Sequence, residues 1–113
     1  MKACLFCQIA TRQLPADIVA ETKLALAFRD ISPQAPCHIL VIPKKHLATL
    51  HEATPEDEEL LGHLMLVAQG IAREQEVASA YRIVINNGAS AGQTVFHIHI
   101  HLLAGRQLGW PPG

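Results

Sequence analysis

Three histidines stand at alternate positions near the end of the chain: His97, His99 and His101, with Ile98 and Ile100 between them. In an extended strand successive side chains point to opposite faces. The three imidazoles then share one face, and Ile98, Ile100 and Leu102 share the other. Neighbouring rings stand about 6.6 Å apart along such a strand, a spacing suited to several atoms of one small ligand. A neutral imidazole has a pKa of about 6.5 and is a nucleophile near neutral pH. One ring could attack phosphorus while its neighbours donate hydrogen bonds to the phosphoryl oxygens as charge builds. Gly88, Gly92, Gln93 and Thr94 precede the histidines, and small residues let main-chain N–H groups approach an anion. Two other readings stand beside this one. The rings could be surface histidines with no ligand. They could also hold a catalytic zinc, whose third ligand is often a carboxylate. That carboxylate would come from elsewhere in the fold, because no Asp or Glu follows Glu76.

A second group sits at the other end. Cys4-x-x-Cys7 has the spacing of a thiolate pair on zinc. A thioredoxin-like redox pair needs a strand before it and a helix after it, and the few residues ahead of Cys4 leave no room for that strand. Zinc would need two more ligands; the alternative is a pair of buried reduced thiols. Cys37 reads as a small buried residue, and His51 and His63 as surface or helix residues without a chemical role.

The elements that must position these groups follow from pattern. Cys4 to Arg12 reads as a short helix ended before Pro15. The stretch DIVAETKLALAFRD reads as two strands with a turn near Glu21-Thr22-Lys23, and Leu24, Leu26 and Phe28 alternate as in a half-buried strand. His38–Pro43 is another strand, closed by Pro43 and the basic turn Lys44-Lys45-His46. A long helix starts at Thr54: Thr is a good N-cap, Pro55 fits the first turn, and Glu56, Asp57, Glu58 and Glu59 favour the positive end of the helix dipole. Leu60, Leu61, Leu64, Met65, Ala68, Ile71 and Ala72 form its apolar face. Tyr81–Asn86 is a strand, residues 87–92 a turn, and Gln93–Leu103 the last strand. The expected class is α+β, with a mainly antiparallel sheet.

A chain of 113 residues makes one domain, spanning 1–113 with an irregular tail over 104–113. Half the residues are hydrophobic, which argues against disorder, and a net charge of −1 argues against a nucleic-acid surface. No apolar run approaches the roughly 20 residues of a membrane span, and MKACLFCQIA lacks the long apolar region of a signal peptide. An odd count of three cysteines suits a reducing compartment. The expected setting is the cytoplasm.

The segment His97-Ile98-His99-Ile100-His101-Leu102-Leu103 resembles the signature of the histidine triad (HIT) family, in which histidines alternate with apolar residues. Residues 27–46, 81–88 and 92–107 and the terminal Trp-Pro-Pro-Gly are similar to its histidine triad nucleotide-binding, purine nucleoside phosphoramidase branch. That resemblance implies a compact α+β unit that forms a homodimer by joining two sheets. It implies a purine nucleoside monophosphate such as AMP as ligand, and hydrolysis of nucleoside 5′-phosphoramidates, including aminoacyl-adenylate-type substrates. By the same resemblance His99 attacks phosphorus and forms a nucleotidyl-histidine, His101 binds the phosphate or leaving group, and His38 supports them as the third catalytic histidine. Asp30 takes the ribose hydroxyls, with Phe28 and Ile31 near the base. Asn86, Gly92, Gln93 and Thr94 surround phosphate and leaving group. Catalysis needs no cofactor. A structural zinc, as in some members of the wider family, would use Cys4, Cys7, His46 and His97. The tail with Trp110 would reach across the dimer and influence leaving-group selection. Neither a membrane nor a nucleic acid is an expected partner. Two alternatives remain: a dinucleoside polyphosphate hydrolase of another branch, against which the WPPG ending and the AFRDISPQAP stretch argue, and a nucleotide-binding scaffold.

Overall fold

The computed structural model describes residues 4–113. Helix α1 spans Leu5–Ala10, with Cys4 as its N-cap. Strands β1 (Ile18–Glu21), β2 (Ala25–Arg29) and β3 (Cys37–Pro43) follow. Helix α2 covers Glu58–Glu74, and strands β4 (Tyr81–Val84) and β5 (Ile100–Ala104) close the chain. The five strands form one antiparallel sheet in the order β1-β2-β3-β5-β4. The α+β class expected from the sequence is the class observed.

Period-two alternation divides the sheet. Ala25, Ala27, Ile39, Val41, Ile100, Leu102 and Ala104 face α2 and pack on Leu64, Ala68, Ile71 and Ala72. The small Ala68 and Ala72 let helix and sheet come close. Leu26, Phe28, Leu40 and Ile42 face the other way and are covered by Phe6 and Ile9 of α1. β2 was expected to be half-buried; instead Ala25 to Phe28 are all buried, because α1 closes the second face. Leu24 lies outside the strand and is 44% exposed. Met65, expected in the apolar stripe of α2, is 46% exposed beside an exposed Leu66.

α1 ends at Ala10, short of the expected Arg12, and three further boundaries differ from expectation. The long helix opens with a 3-10 turn, Pro55–Asp57, before α2 begins at Glu58. There the Asp57 carboxylate accepts from the Thr54 N–H at 3.0 Å and from Lys45 Nζ at 2.7 Å, which tightens the first turn. β4 stops at Val84, short of Asn86. The largest difference concerns the last strand, which begins at Ile100 and not at Gln93. β5 pairs with β3 as far as Val41↔Ile100, and β3 ends two residues on at Pro43, which has no N–H to offer a ladder. Residues 93–99 are instead pinned singly to the segment after β3: Gln93 Nε2 donates to Ala48 O, and Ile98 N to Leu47 O. Among the described residues no helix is long and apolar enough to cross a membrane.

Candidate active site

His99 stands at the foot of β5. Its Nδ1 lies 2.8 Å from the carbonyl oxygen of His97. A carbonyl only accepts, so Nδ1 carries the proton and Nε2 keeps its lone pair. Phe6 sets its ring edge-on to the imidazole, with centroids 5.1 Å apart. The side chain is nearly buried, and burial pushes its pKa below the ordinary value against the opposing pull of the His97 carbonyl and Asp30. His99 is therefore a neutral ring with one bare nitrogen. It is packed but not sealed: with His101 it lines a cavity of about 420 Å³.

The second element of the site is a chain of hydrogen bonds through His38 and His101. The main-chain N–H of Gln34 donates to His38 Nδ1 at 3.0 Å. His38 must then hold its proton on Nε2, 2.9 Å from His101 Nδ1. Asp30 Oδ2 lies 3.4 Å from the same Nε2. With Nδ1 accepting, a neutral His101 carries its proton on Nε2. The rings of His99 and His101 are 4.9 Å apart. His101 has a pKa lowered to about 4, by burial first and then by the neighbouring His99 and His38. The site thus holds a bare nitrogen on His99 beside an N–H on His101: a nucleophile and a hydrogen-bond donor on neutral rings.

The cavity wall brings together Phe28, Asp30, Ile31 and Thr94 with the two histidines. Ile31 is 99% exposed at the mouth. Asp30 has two duties: its Oδ1 caps the turn by accepting from Ser32 N at 2.7 Å, and its Oδ2 faces His38. Gln93 is not on the wall. Its side chain is buried, accepts from Gly88 N and donates to Ala48 O and Val95 O. The structure makes it a brace for the loop ahead of the histidines. Gly92 (φ +104°) lies against Asn86, and neither lines the cavity. Sequence reasoning missed Leu5, Phe6 and Ile9 of α1, which form the apolar wall opposite Asp30. No local signal marks them, since a short apolar helix looks the same wherever it docks.

His97 turns away from the cavity. It is fully buried, and its Nε2 lies 2.8 Å from the Pro43 carbonyl, so Nε2 carries the proton and Nδ1 is bare. That Nδ1 meets Cys4 Sγ at 3.4 Å, Cys7 Sγ at 3.5 Å and His46 Nδ1 at 3.1 Å, and Cys7 Sγ lies 3.4 Å from His46 Nδ1. All four ligand atoms fall within 4.8 Å of one another. A tetrahedron with metal–ligand bonds of about 2.0–2.3 Å has edges of about 3.3–3.8 Å, close to these separations. The Pro43 carbonyl supplies the outer hydrogen bond that a metal-binding imidazole uses to fix its orientation. The four side chains therefore fit a tetrahedral cation. His97 links the two sites: its ring belongs to the thiol cluster, and its carbonyl holds His99.

A model of the HIT domain matches residues 11–108. The chain belongs to the HIT family. It is 58% identical over 109 residues to an uncharacterized HIT-like protein of Synechococcus elongatus, covering 96% of each chain. A HIT family hydrolase from Legionella pneumophila superposes with a TM-score of 0.97 at 50% identity, covering 98% of this chain and all of that one. The histidine triad nucleotide-binding protein of Candida albicans superposes with a TM-score of 0.84 at 31% identity, covering 96% of this chain and 83% of that one. The HIT fold assigns the alternating histidines to the family signature and leaves the thiol cluster as a feature to be explained on its own.

Proposed function

We propose that the chain is a purine nucleoside 5′-phosphoramidate hydrolase, of the nucleotide-binding branch of the HIT family. The observation that carries this reading is the proton arrangement of the two histidines at the cavity floor: a bare Nε2 on His99 beside the Nε2–H on His101. A nucleoside monophosphate group suits the cavity. The base would lie in the apolar half near Phe28 and Ile31, the ribose hydroxyls on Asp30, and the phosphate against His99, His101 and Thr94. Relatives described as hydrolases and as a nucleotide-binding protein support the choice.

His99 Nε2 attacks phosphorus, and the P–N bond breaks with its electron pair going to nitrogen. The departing amine takes a proton, passed from His101 Nε2 and drawn in turn from solvent. The nucleotidyl-imidazolium on His99 is steadied by its Nδ1–H on the His97 carbonyl. Water then attacks phosphorus, the P–N bond to His99 breaks, and the nucleoside monophosphate leaves. The water's proton goes to the medium, and His99 returns neutral. The test is rapid acid-free quenching of enzyme with an adenosine phosphoramidate, followed by mass spectrometry. A nucleotide mass on the peptide holding His99 is expected, and its loss in His99→Ala together with a fall in turnover of order 10⁴-fold or more. Undiminished turnover in His99→Ala would sink the reading. Comparing that substrate with a dinucleoside polyphosphate fixes the branch.

Zinc is proposed on Cys4, Cys7, His46 and His97, supported by the bare Nδ1 of His97 and by tetrahedral separations. It would supply a structural tether and take no part in the chemistry. A homodimer joined through β4 is proposed as well. β4 is an edge strand of half-buried residues, and an exposed edge calls for a partner or a cover. The three free thiols support a reducing, cytoplasmic setting.

A further inference from the structure

The loop between β2 and β3 does more than join two strands. Its residue Gln34 donates its main-chain N–H to His38 Nδ1, and its carbonyl accepts from Arg106 Nε at 2.8 Å. Arg106 is the second residue past β5 and also donates to the Gln107 carbonyl, at 3.0 Å. The loop is seated by Pro36 against Gly105, where a Cβ would come within 2.9 Å of the proline. Gly105 also has φ +97°, so only glycine suits that seat. Two residues just past β5, Gly105 and Arg106, thus fix the backbone of Gln34, whose N–H faces His38.

That N–H matters because the His38–His101 pair has two self-consistent proton arrangements. In the first, His38 carries its proton on Nε2 and donates to His101 Nδ1, which leaves an N–H at His101 Nε2. In the second, both protons sit on Nδ1: His101 donates to His38 Nε2, and His101 Nε2 is bare. Both keep the 2.9 Å contact between the rings. Only the first gives His101 a proton to present to the cavity. In the second, the Nδ1–H of His38 would point at the N–H of Gln34, donor against donor. Asp30 Oδ2, beside His38 Nε2, also prefers a proton on that nitrogen.

We propose that the Gln34 main-chain N–H, held in place by Arg106, selects the His101 tautomer that can donate a proton at the reaction centre. Arg106 and Gln34 are positioning residues; neither lines the cavity. The inference rests on the phosphoramidase reading for its catalytic consequence, but not for the tautomer itself.

The test separates the two. Gln34→Pro deletes the N–H. Gln34→Ala keeps it and removes only the side chain, which donates to Ser32 O. Arg106→Ala removes the brace. Ring nitrogen shifts of His38 and His101 are read by long-range proton–nitrogen correlation in the substrate-free protein, and turnover is read separately. Wild type and Gln34→Ala should show the proton on His101 Nε2. Gln34→Pro and Arg106→Ala should show the reversed form, with kcat down by about 10- to 100-fold, at or below the lower end of acid–base contributions, and KM little changed. An unaltered His101 tautomer in both Gln34→Pro and Arg106→Ala overturns the inference. If Gln34→Pro does not fold, the nitrogen shifts of Arg106→Ala decide alone. A wild type that keeps the assigned tautomer yet fails to cleave phosphoramidates would defeat the functional reading and leave this one standing.

Discussion

The imidazoles of this site are useful because they are uncharged. Burial is the first cause that depresses the pKa of His38, His99 and His101, and in His101, together with the neighbouring His99 and His38, it brings the value to about 4. The direction sets the pH dependence. An unfolded histidine takes up a proton near pH 6.5, whereas the folded rings refuse it until lower pH. Their contribution to stability is therefore complete above about pH 6.5 and is lost as the pH falls toward 4, with His101 alone accounting for on the order of 3 kcal/mol. Urea midpoints measured across this interval should fall steadily with acid. Under the proposed chemistry kcat/KM should stay level from neutral pH down past 6.5, because His99 remains unprotonated. An acidic limb centred at or above 6.5 would show that His99 titrates as an ordinary exposed ring.

At the scale of elements, α1 joins the two sites. Cys4 and Cys7 of the thiol cluster lie at its N-terminal end, while Leu5, Phe6 and Ile9 wall the cavity. Six residues are too few to hold a helix by themselves. Its place depends on the packing of Phe6 and Ile9 and, with metal bound, on the tether. Stripping the proposed zinc with a chelator, or removing one of its proposed ligands by Cys7→Ser, should weaken binding of the proposed nucleoside monophosphate by about 5- to 10-fold, the lower range of coupling between sites. Calorimetric titration with and without chelator measures this, and equal affinities would separate the cluster from the cavity. Much of the element pattern was legible beforehand. Pro43 marks the real end of β3, Thr54 caps the opening turn as expected, and β1, β2 and β3 lie where strands were expected, although the alternation read for β2 gave way to burial on both faces. The histidine segment misled in one respect. Its period of two persists through His97, so it reads as strand, yet the ladder stops where Pro43 has no donor to give. Gln93 misled differently: an amide beside glycines can serve a ligand or the main chain equally well, and only its burial shows that it serves the loop. Cys4 and His97 lie 93 positions apart, so nothing local could pair them; the resemblance did.

Across the whole molecule, the histidines proposed to carry the chemistry hang from the middle of the sheet. All seven residues of β3 are buried, and β5 is flanked on both sides. His38 and His101 project from these two central strands, and His99 from the residue just before β5. The periphery is different in kind: β1 and β4 are edges, α1 is a single short helix, and Trp110 in the tail is 84% exposed. This arrangement has a kinetic meaning. In deuterated solvent the amides of Ile39 to Val41 and of Leu102 should exchange only when the entire domain opens, whereas those of α1 should exchange through local fraying at far lower cost. Early label in the central strands would contradict this. The floor of the cavity would then keep its shape while its outer wall breathes, so that a nucleotide could enter and leave without disturbing the rings that meet its phosphate.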